Sequence, residues 1–227
     1  MSGIGQLIVL TNIDENNEAE FNRWYDDEHM KERVEIPGFL NARRYMAKGK
    51  ARWKYLAMYD TEALSVFRSD IYFQKLSFQS DWSKRIQGLF VQPQRNVAER
   101  TALRGYGIGA ELDFIMVRPA PGQENRARDA VTAFIADDAL RTPSQIKLSL
   151  FEADGDLSGP APDYQKVDDS PIERTDWFVV VDRKAGWPVD DDLPGALKGL
   201  AGVEKVEDFG RYVLTWALTN HEIAQSA

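Results

Sequence analysis

The sequence predicts an α+β fold in which two βαββαβ halves follow one another along a chain of 227 residues. Three observations lead to this prediction. Short runs rich in β-branched and aromatic residues alternate between apolar and polar positions, as half-buried strands do. Longer stretches with helical periodicity separate these runs. The same order of elements occurs again about 105 residues further on, which indicates duplication although the two halves share few residues.

Four strands and two helical stretches are predicted in the first half of the chain. The strands are at 4–13, 39–47, 52–60 and 95–108, and the helical stretches are at 14–36 and over most of 61–88. The first helix has acidic residues in its first turn and ends at Pro37-Gly38, a combination that stops helices. A tight "KGKA" connection makes the second and third strands a β-hairpin. The order β-α-β-β-α-β is that of a ferredoxin-like unit.

The second half repeats this order. Its strands are predicted at 111–119, 144–153, 176–182 and 206–219, and its helices at 122–140 and near 190–200. We therefore divide the chain into a first ferredoxin-like half, 1–108, and a second, degenerate half, 109–227. We expect their sheets to pack into a dimeric-α/β-barrel-like structure within one chain. The long segment 154–175, rich in Gly, Pro and Asp, is interpreted either as a lid or binding loop or as a surface insertion.

Composition excludes several classes of function. The chain has 36 acidic and 28 basic residues, so it lacks the positive surface that nucleic acids require. It has no cysteine and only two histidines, so disulfides and thiolate chemistry are excluded and we expect no metal site. No apolar run is long enough to cross a bilayer and the N-terminus does not resemble a signal peptide. We expect a cytoplasmic protein that contacts neither nucleic acid nor membrane.

Strand alternation sorts the first half into two faces. One face is apolar and is expected to lie under the helices: Leu7, Val9, Leu40, Ala42, Met46, Leu56 and Met58. The other combines aromatic rings with polar groups: Asn12, Phe39, Asn41, Arg43, Tyr45, Trp53, Tyr55 and Tyr59. Such a mixture is typical of a small-molecule pocket, so we expect this face to point into the barrel. The alternative is a solvent-exposed face or a subunit interface, where the same residue types are enriched.

The first helix carries His29 about two turns before the Pro-Gly stop. The negative end of the helix dipole, with Asp26 and Glu28 nearby, is expected to favour the protonated imidazole. A histidine in this position can exchange a proton near neutral pH. The alternative is a capping or surface histidine paired with a carboxylate.

The run "FNRWYDDEHMKERVEIPGFLNARRY" (21–45) resembles the EthD-like branch of the dimeric α/β barrel superfamily. The matching elements are a "WY-x-x-EH" helix end, a "PGF" turn and an "ARRY" strand. In this sequence they are Trp24-Tyr25, Glu28-His29, Pro37-Gly38-Phe39 and Ala42-Arg43-Arg44-Tyr45. The second half has no counterpart of His29, and His221 lies in the tail. The resemblance implies small-molecule chemistry, in many branches without metal or organic cofactor, and a pocket histidine with an acid/base or substrate-binding role.

The leading hypothesis is therefore a cofactor-independent lyase, isomerase or dehydratase acting on a small, aromatic catabolic intermediate. His29 is the expected general acid/base, with its ring oriented by Asp26 or Glu28. Tyr45 or Tyr55 is expected to hydrogen-bond a developing oxyanion, and Arg43 to hold a carboxylate or phenolate. Three further residues are expected to contact the substrate: Asn41, Trp53 and Tyr59.

Three alternatives remain open at this point. The first is a cofactor-free monooxygenase that holds an electron-rich phenol for reaction with dioxygen. The second is haem binding with His29 as axial ligand, although the chain lacks cationic clusters for the propionates. The third is a non-catalytic small-molecule-binding or assembly protein, because duplicated ferredoxin-like halves also serve as sensors and oligomerisation modules. Homodimerisation through an outer surface is compatible with each alternative.

Overall fold

Eight antiparallel strands form a closed barrel in the computed structural model, which describes residues 3–159 and 176–226. Their order around the barrel is β1-β3-β2-β8-β5-β7-β6-β4. The strands are β1 Gly5–Asn12, β2 Phe39–Ala47, β3 Tyr55–Thr61, β4 Val91–Gly105, β5 Glu111–Pro119, β6 Gln145–Ala153, β7 Trp177–Arg183 and β8 Val203–Thr219.

Helices cover the outside of the barrel. The α-helices are α1 Glu18–Trp24, α2 Met30–Val34, α3 Asp70–Ser77, α4 Asp81–Gln87, α5 Glu124–Ala136, α6 Leu193–Lys198 and α7 Asn220–Ser226. A π-helical turn, Tyr25–His29, joins α1 to α2. Short 3₁₀ turns lie at Glu15–Asn17, Leu64–Arg68 and Asp138–Leu140. None of the helices in 3–159 and 176–226 is long and apolar enough to span a membrane.

The strand order explains how one chain closes the barrel. Each half contributes a four-stranded sheet in which its first strand lies between its third and fourth, as in a ferredoxin-like unit. The two sheets are joined at both edges, by β2 with β8 and by β4 with β6. The predicted α+β barrel is thus confirmed. The assignment of the site to 1–108 and of a degenerate copy to 109–227 stays a prediction.

Apolar side chains form three layers. The barrel interior is filled by one cluster to which all eight strands contribute, among them Ile8, Tyr45, Met58, Ala98, Phe114, Phe151, Phe178 and Tyr212. A second cluster lies between the first sheet and its helices, and a third lies between the second sheet and its helices. The sheet of the first half therefore separates two buried environments, and each strand residue belongs to one of them.

The predicted faces of β3 are wrong. Tyr55 and Tyr59 lie on the helix side of the sheet, whereas Leu56 and Met58 point into the barrel. The register explains the difference, because Leu56 lies directly opposite Tyr45, and opposite residues of an antiparallel pair share a face. The connection after β2 therefore shifts the alternation of β3 by one residue. Its even-numbered residues point into the barrel, whereas the odd-numbered ones were expected there.

Two more residues of the predicted cavity face do not point into the barrel cavity. A β-bulge between Phe39 and Asn41 turns Phe39 toward the helices. Asn12 connects β1 to the chain just before β3: its amide nitrogen donates to the carbonyl of Arg52 at 3.2 Å, and its amide oxygen accepts from the backbone N–H of Lys54 at 2.7 Å.

The start of the 154–175 segment lies against the first half. The Arg68 guanidinium pairs with Asp154 at 2.9 Å, and the Ser158 hydroxyl accepts from the backbone N–H of Val97 at 3.0 Å. The carbonyl of Leu157 accepts from Arg95 at 2.6 Å. Residues 160–175, where the lid or insertion was predicted, lie outside the described residues.

Candidate functional site

The first helix changes to π-helical geometry at Tyr25–His29. A π turn inserts one extra residue into a helix and is frequently found at functional sites. Arg44, on the neighbouring strand β2, holds the start of this turn in place through hydrogen bonds. Its guanidinium donates to the backbone carbonyl of Asn22 at 3.4 Å and to the side-chain oxygen of the same residue at 2.7 Å. The π turn places His29 over the helix-facing side of the sheet.

Aromatic rings surround His29 between helix and sheet. Trp24 stacks on the imidazole with ring centroids 4.2 Å apart, and Tyr25 and Tyr59 meet it edge-on at 5.3 and 6.5 Å. The histidine is only 7% exposed, and its Nδ1 is buried without a hydrogen-bond partner among the described residues. Buried polar atoms are nearly always hydrogen-bonded, so this unpaired nitrogen is a candidate contact for a ligand group.

The imidazole is neutral at physiological pH. Burial lowers the pKa of His29 well below its usual range, and the positive charges of Arg33 and Arg44 lower it further. The expectation that this helix end would favour the protonated ring is therefore wrong. Loss of hydration outweighs the helix dipole because the ring is buried among apolar rings. His29 is therefore unprotonated and can accept a proton, although the same burial and charges make it a weaker base than a free imidazole.

The two carboxylates expected to orient His29 have other partners. Asp26 accepts from the Arg44 guanidinium at 2.5 Å. Glu28 accepts from the hydroxyls of Ser80 and Ser83, at 2.5 and 3.0 Å, and so joins the π turn to α4. Neither is seen to hold the imidazole, and both instead fix the helix that carries it.

Tyr55 also lies on the helix side, but its hydroxyl is engaged. It donates to the carboxylate of Glu18, which in addition accepts from Lys54 at 2.7 Å. Burial and the hydrogen bond to Glu18 raise the pKa of Tyr55 to about 12, so the hydroxyl stays protonated. Its ring contributes to the aromatic layer next to Phe21, at a centroid distance of 4.7 Å.

The remaining predicted site residues lie on the barrel side of the sheet. Arg43 pairs with Asp60 at 2.7 Å, and the Asn41 amide donates to the same carboxylate at 2.9 Å. Tyr45 belongs to the interior cluster, as does Trp53, whose indole N–H donates to the carbonyl of Gln92 at 2.8 Å. The structure thus groups His29 with Tyr59 and separates both from Arg43, Tyr45 and Trp53 by the thickness of the sheet.

Sequence reasoning missed the part played by Trp24, Tyr25 and Arg44. Trp24 packs in the core between helix and sheet, and it also covers the imidazole. The Arg44 guanidinium lies 4.3 Å from the ring centroid of Tyr25, a cation–π contact that also fixes the turn. The signal was present in the pair Arg43-Arg44, because adjacent strand residues must point to opposite faces.

No protein-family model and no curated protein matches this sequence. Solved structures do share its fold. An anthrone oxidase-like protein has a TM-score of 0.63 and 10% identity, with 97% of this chain and 94% of that chain covered. A putative monooxygenase from Lactobacillus acidophilus has a TM-score of 0.56 and 11% identity, with 96% and 97% covered. A mutant chlorite dismutase from Candidatus Nitrospira defluvii has a TM-score of 0.51 and 12% identity, with 99% and 95% covered.

These similarities extend over nearly the whole length of each chain, so both halves and their connection correspond. At 10–12% identity they show the fold and nothing finer. The protein has the dimeric-α/β-barrel fold, with both halves in one chain. The narrower resemblance to the EthD-like branch remains a prediction.

Proposed function

We propose that this protein is a cofactor-independent oxygenase of a small hydroxyaryl compound, and that His29 is its general base. The observation that carries this proposal is the buried, neutral imidazole with an unpaired Nδ1 inside an aromatic lining. A base that is neutral near pH 7 can remove the proton of a phenolic or enolic hydroxyl. Flat rings such as Trp24 and Tyr59 suit a flat, apolar substrate.

Two arginines support the same reaction. The charges of Arg33 and Arg44 are close enough to lower the pKa of His29, so they also stabilise the substrate anion left after proton removal. That anion is richer in electrons than the neutral phenol and can reduce dioxygen directly. For an activated ring methylene the reaction balances as CH₂ plus O₂ giving C=O plus water, with four electrons passing from carbon to oxygen.

The names of the structural neighbours favour oxygenation over the lyase or isomerase first expected. One is called anthrone oxidase-like and another a putative monooxygenase. Isomerisation or elimination remains the second candidate function, because the same neutral base can remove a proton from carbon without dioxygen.

Oxygen consumption tests the proposal. The full chain is mixed with hydroxyanthrones, naphthols, hydroquinones and unsaturated lactones, with a chelator present, while dissolved oxygen and product are recorded together. We expect a substrate that consumes about one O₂ per product and takes one labelled atom from ¹⁸O₂. Conversion without oxygen uptake would assign the protein to the lyase or isomerase class instead.

The chain offers a matched control because it has only two histidines. His29→Gln should lower turnover by about 10²–10⁴, the usual loss when a general base is removed. His221→Gln should leave turnover unchanged, since His221 lies exposed in the C-terminal helix. Equal rates for wild type and His29→Gln would refute the role of His29. A Soret band after addition of hemin would point to haem binding instead.

A further inference from the structure

The barrel interior contains a second polar site on the other side of the sheet from His29. A recess with about 240 Å³ of free space, part of it open to solvent, lies between β2, β3, β4, β6 and β7. Its apolar lining comprises Met58, Phe151 and Val180, and its polar lining comprises Arg43, Asp60, Arg100, Lys147, Ser149 and Asp182. The enclosed part has room for about one water-sized ligand.

The charges in the recess do not cancel. Arg43 is neutralised by Asp60 at 2.7 Å, and Lys147 by Asp182 at 3.1 Å. Arg100, half-buried on β4, has no ion-pair partner within 3–159 and 176–226. Two neutral pairs and one uncompensated guanidinium leave a net positive charge beside apolar side chains, where an anion is attracted more strongly than in bulk water.

Two buried hydrogen-bond donors in the recess also lack partners. The Nε–H of Arg43 and the hydroxyl of Ser149 are unpaired in the part of the chain that the structure describes. Their residues are 4% and 1% exposed. Buried polar groups are nearly always hydrogen-bonded, so an unpaired pair of donors in one recess indicates a bound group.

We propose that the recess binds one small monovalent anion, either a halide or a small carboxylate that places one oxygen in the enclosed part and the rest toward the open mouth. Arg100 supplies the uncompensated charge, and Arg43 and Ser149 supply hydrogen bonds. A cation is not favoured, because each carboxylate of the recess already lies against a cationic side chain: Asp60 against Arg43 at 2.7 Å, and Asp182 against Lys147 at 3.1 Å, an ion contact that leaves Oδ2 of Asp182 without a hydrogen bond among the described residues. A dianion such as phosphate is disfavoured, because the recess offers a single uncompensated positive charge. The site is independent of His29 and of the reaction proposed there.

Thermal unfolding of the full chain tests this site. Sodium gluconate is replaced stepwise by sodium chloride or sodium formate at constant ionic strength and pH 7. We expect a saturable rise in Tm with at least one of the two anions, because a ligand that binds only the folded state stabilises it. Saturation with chloride alone identifies a halide site, and saturation with formate alone a carboxylate site. Phosphate should give no saturable rise.

Two variants locate the binding. Arg100→Gln and Ser149→Ala should weaken the anion affinity about tenfold or more, as expected for loss of a charge-assisted or buried hydrogen bond. Arg126→Gln, which removes one charge from an exposed position on α5, should bind like wild type. Circular dichroism checks that each variant is folded, and ³⁵Cl line broadening reports chloride binding without unfolding. No saturation in wild type, or equal affinities in all four proteins, would overturn the site.

Discussion

The indole of Trp24 stacks on the imidazole of His29 at a centroid distance of 4.2 Å, with an angle of 27° between the rings. The indole is itself held in place, because its N–H donates to the hydroxyl of Ser83 on α4 at 2.9 Å. Ser83 in turn donates to Glu28. Trp24, which stacks on the candidate base His29, is thus fixed to a second helix. A structural change in α4 should therefore be transmitted to His29 through Trp24.

Ser83→Ala should destabilise the protein. The substitution removes the acceptor of the buried Trp24 N–H, and leaving such a donor unsatisfied costs about 1–3 kcal/mol. Denaturant unfolding measures the loss. Ser77→Ala is the control, since that serine is exposed at the end of α3 and should change the free energy of unfolding by less than about 0.5 kcal/mol. If Ser83→Ala and Ser77→Ala unfolded at the same denaturant concentration, the buried hydrogen bond from Trp24 to Ser83 would be contradicted.

Acid should unfold wild type more readily than a His29→Gln variant does. Burial lowers the pKa of His29 in the folded state, whereas the unfolded chain has the ordinary value of about 6.5. Below that pH the unfolded state binds the extra proton and the folded state does not. The free energy of unfolding of wild type should therefore fall, relative to the variant, by up to about 1.4 kcal/mol per pH unit as the pH drops below about 6.5.

Urea titrations between pH 7.5 and 5 measure this difference. His221 is present in both proteins, so its protonation cancels in the comparison. A constant difference between the two proteins over the whole range would mean that His29 has an ordinary pKa in the folded state. In that case burial and the neighbouring arginines would not lower its pKa, and the aromatic enclosure of the ring would be looser than the structure shows.

Local patterns predicted most of the secondary structure. Strand β5 begins and ends at Glu111 and Pro119, as its alternation predicted, and the first hairpin and α5 are close to their expected positions. The faces of β3 were not predictable, because a change of one residue in register moves every side chain to the opposite face. The register depends on how the connection after β2 closes, which alternation within each strand does not encode.

The environment of His29 depended on contacts that are distant in sequence. The π turn is held by Arg44 from another element, and the imidazole is enclosed by Tyr59 from β3. Helical periodicity assumes a regular helix, so it could not show an inserted residue at Tyr25–His29. The charges near His29 in the sequence predicted a protonated ring, whereas tertiary burial made it neutral.

Arg44→Gln should raise the pKa of His29. The charge of Arg44 helps to keep that pKa low, and its guanidinium braces the π turn through Asn22. NMR titration of the imidazole carbon-bound protons measures the shift. Arg43→Gln provides a matched control: the neighbouring arginine points into the barrel, where it pairs with Asp60, and should leave the titration of His29 unchanged. Equal shifts in both variants would exclude a specific role for Arg44.

Tyr55→Phe should affect turnover far less than His29→Gln. The hydroxyl of Tyr55 already donates to Glu18, and a pKa of about 12 keeps it from serving as a base. Removing it leaves the ring in the aromatic layer and costs one partly exposed hydrogen bond, about 1 kcal/mol of stability. We expect turnover with the substrate found by oxygen uptake to fall by less than about tenfold, against about 10²–10⁴ for His29→Gln. A loss as large as that of His29→Gln would instead give Tyr55 the oxyanion-binding role first expected for it, and would require its hydroxyl to leave Glu18 when substrate binds.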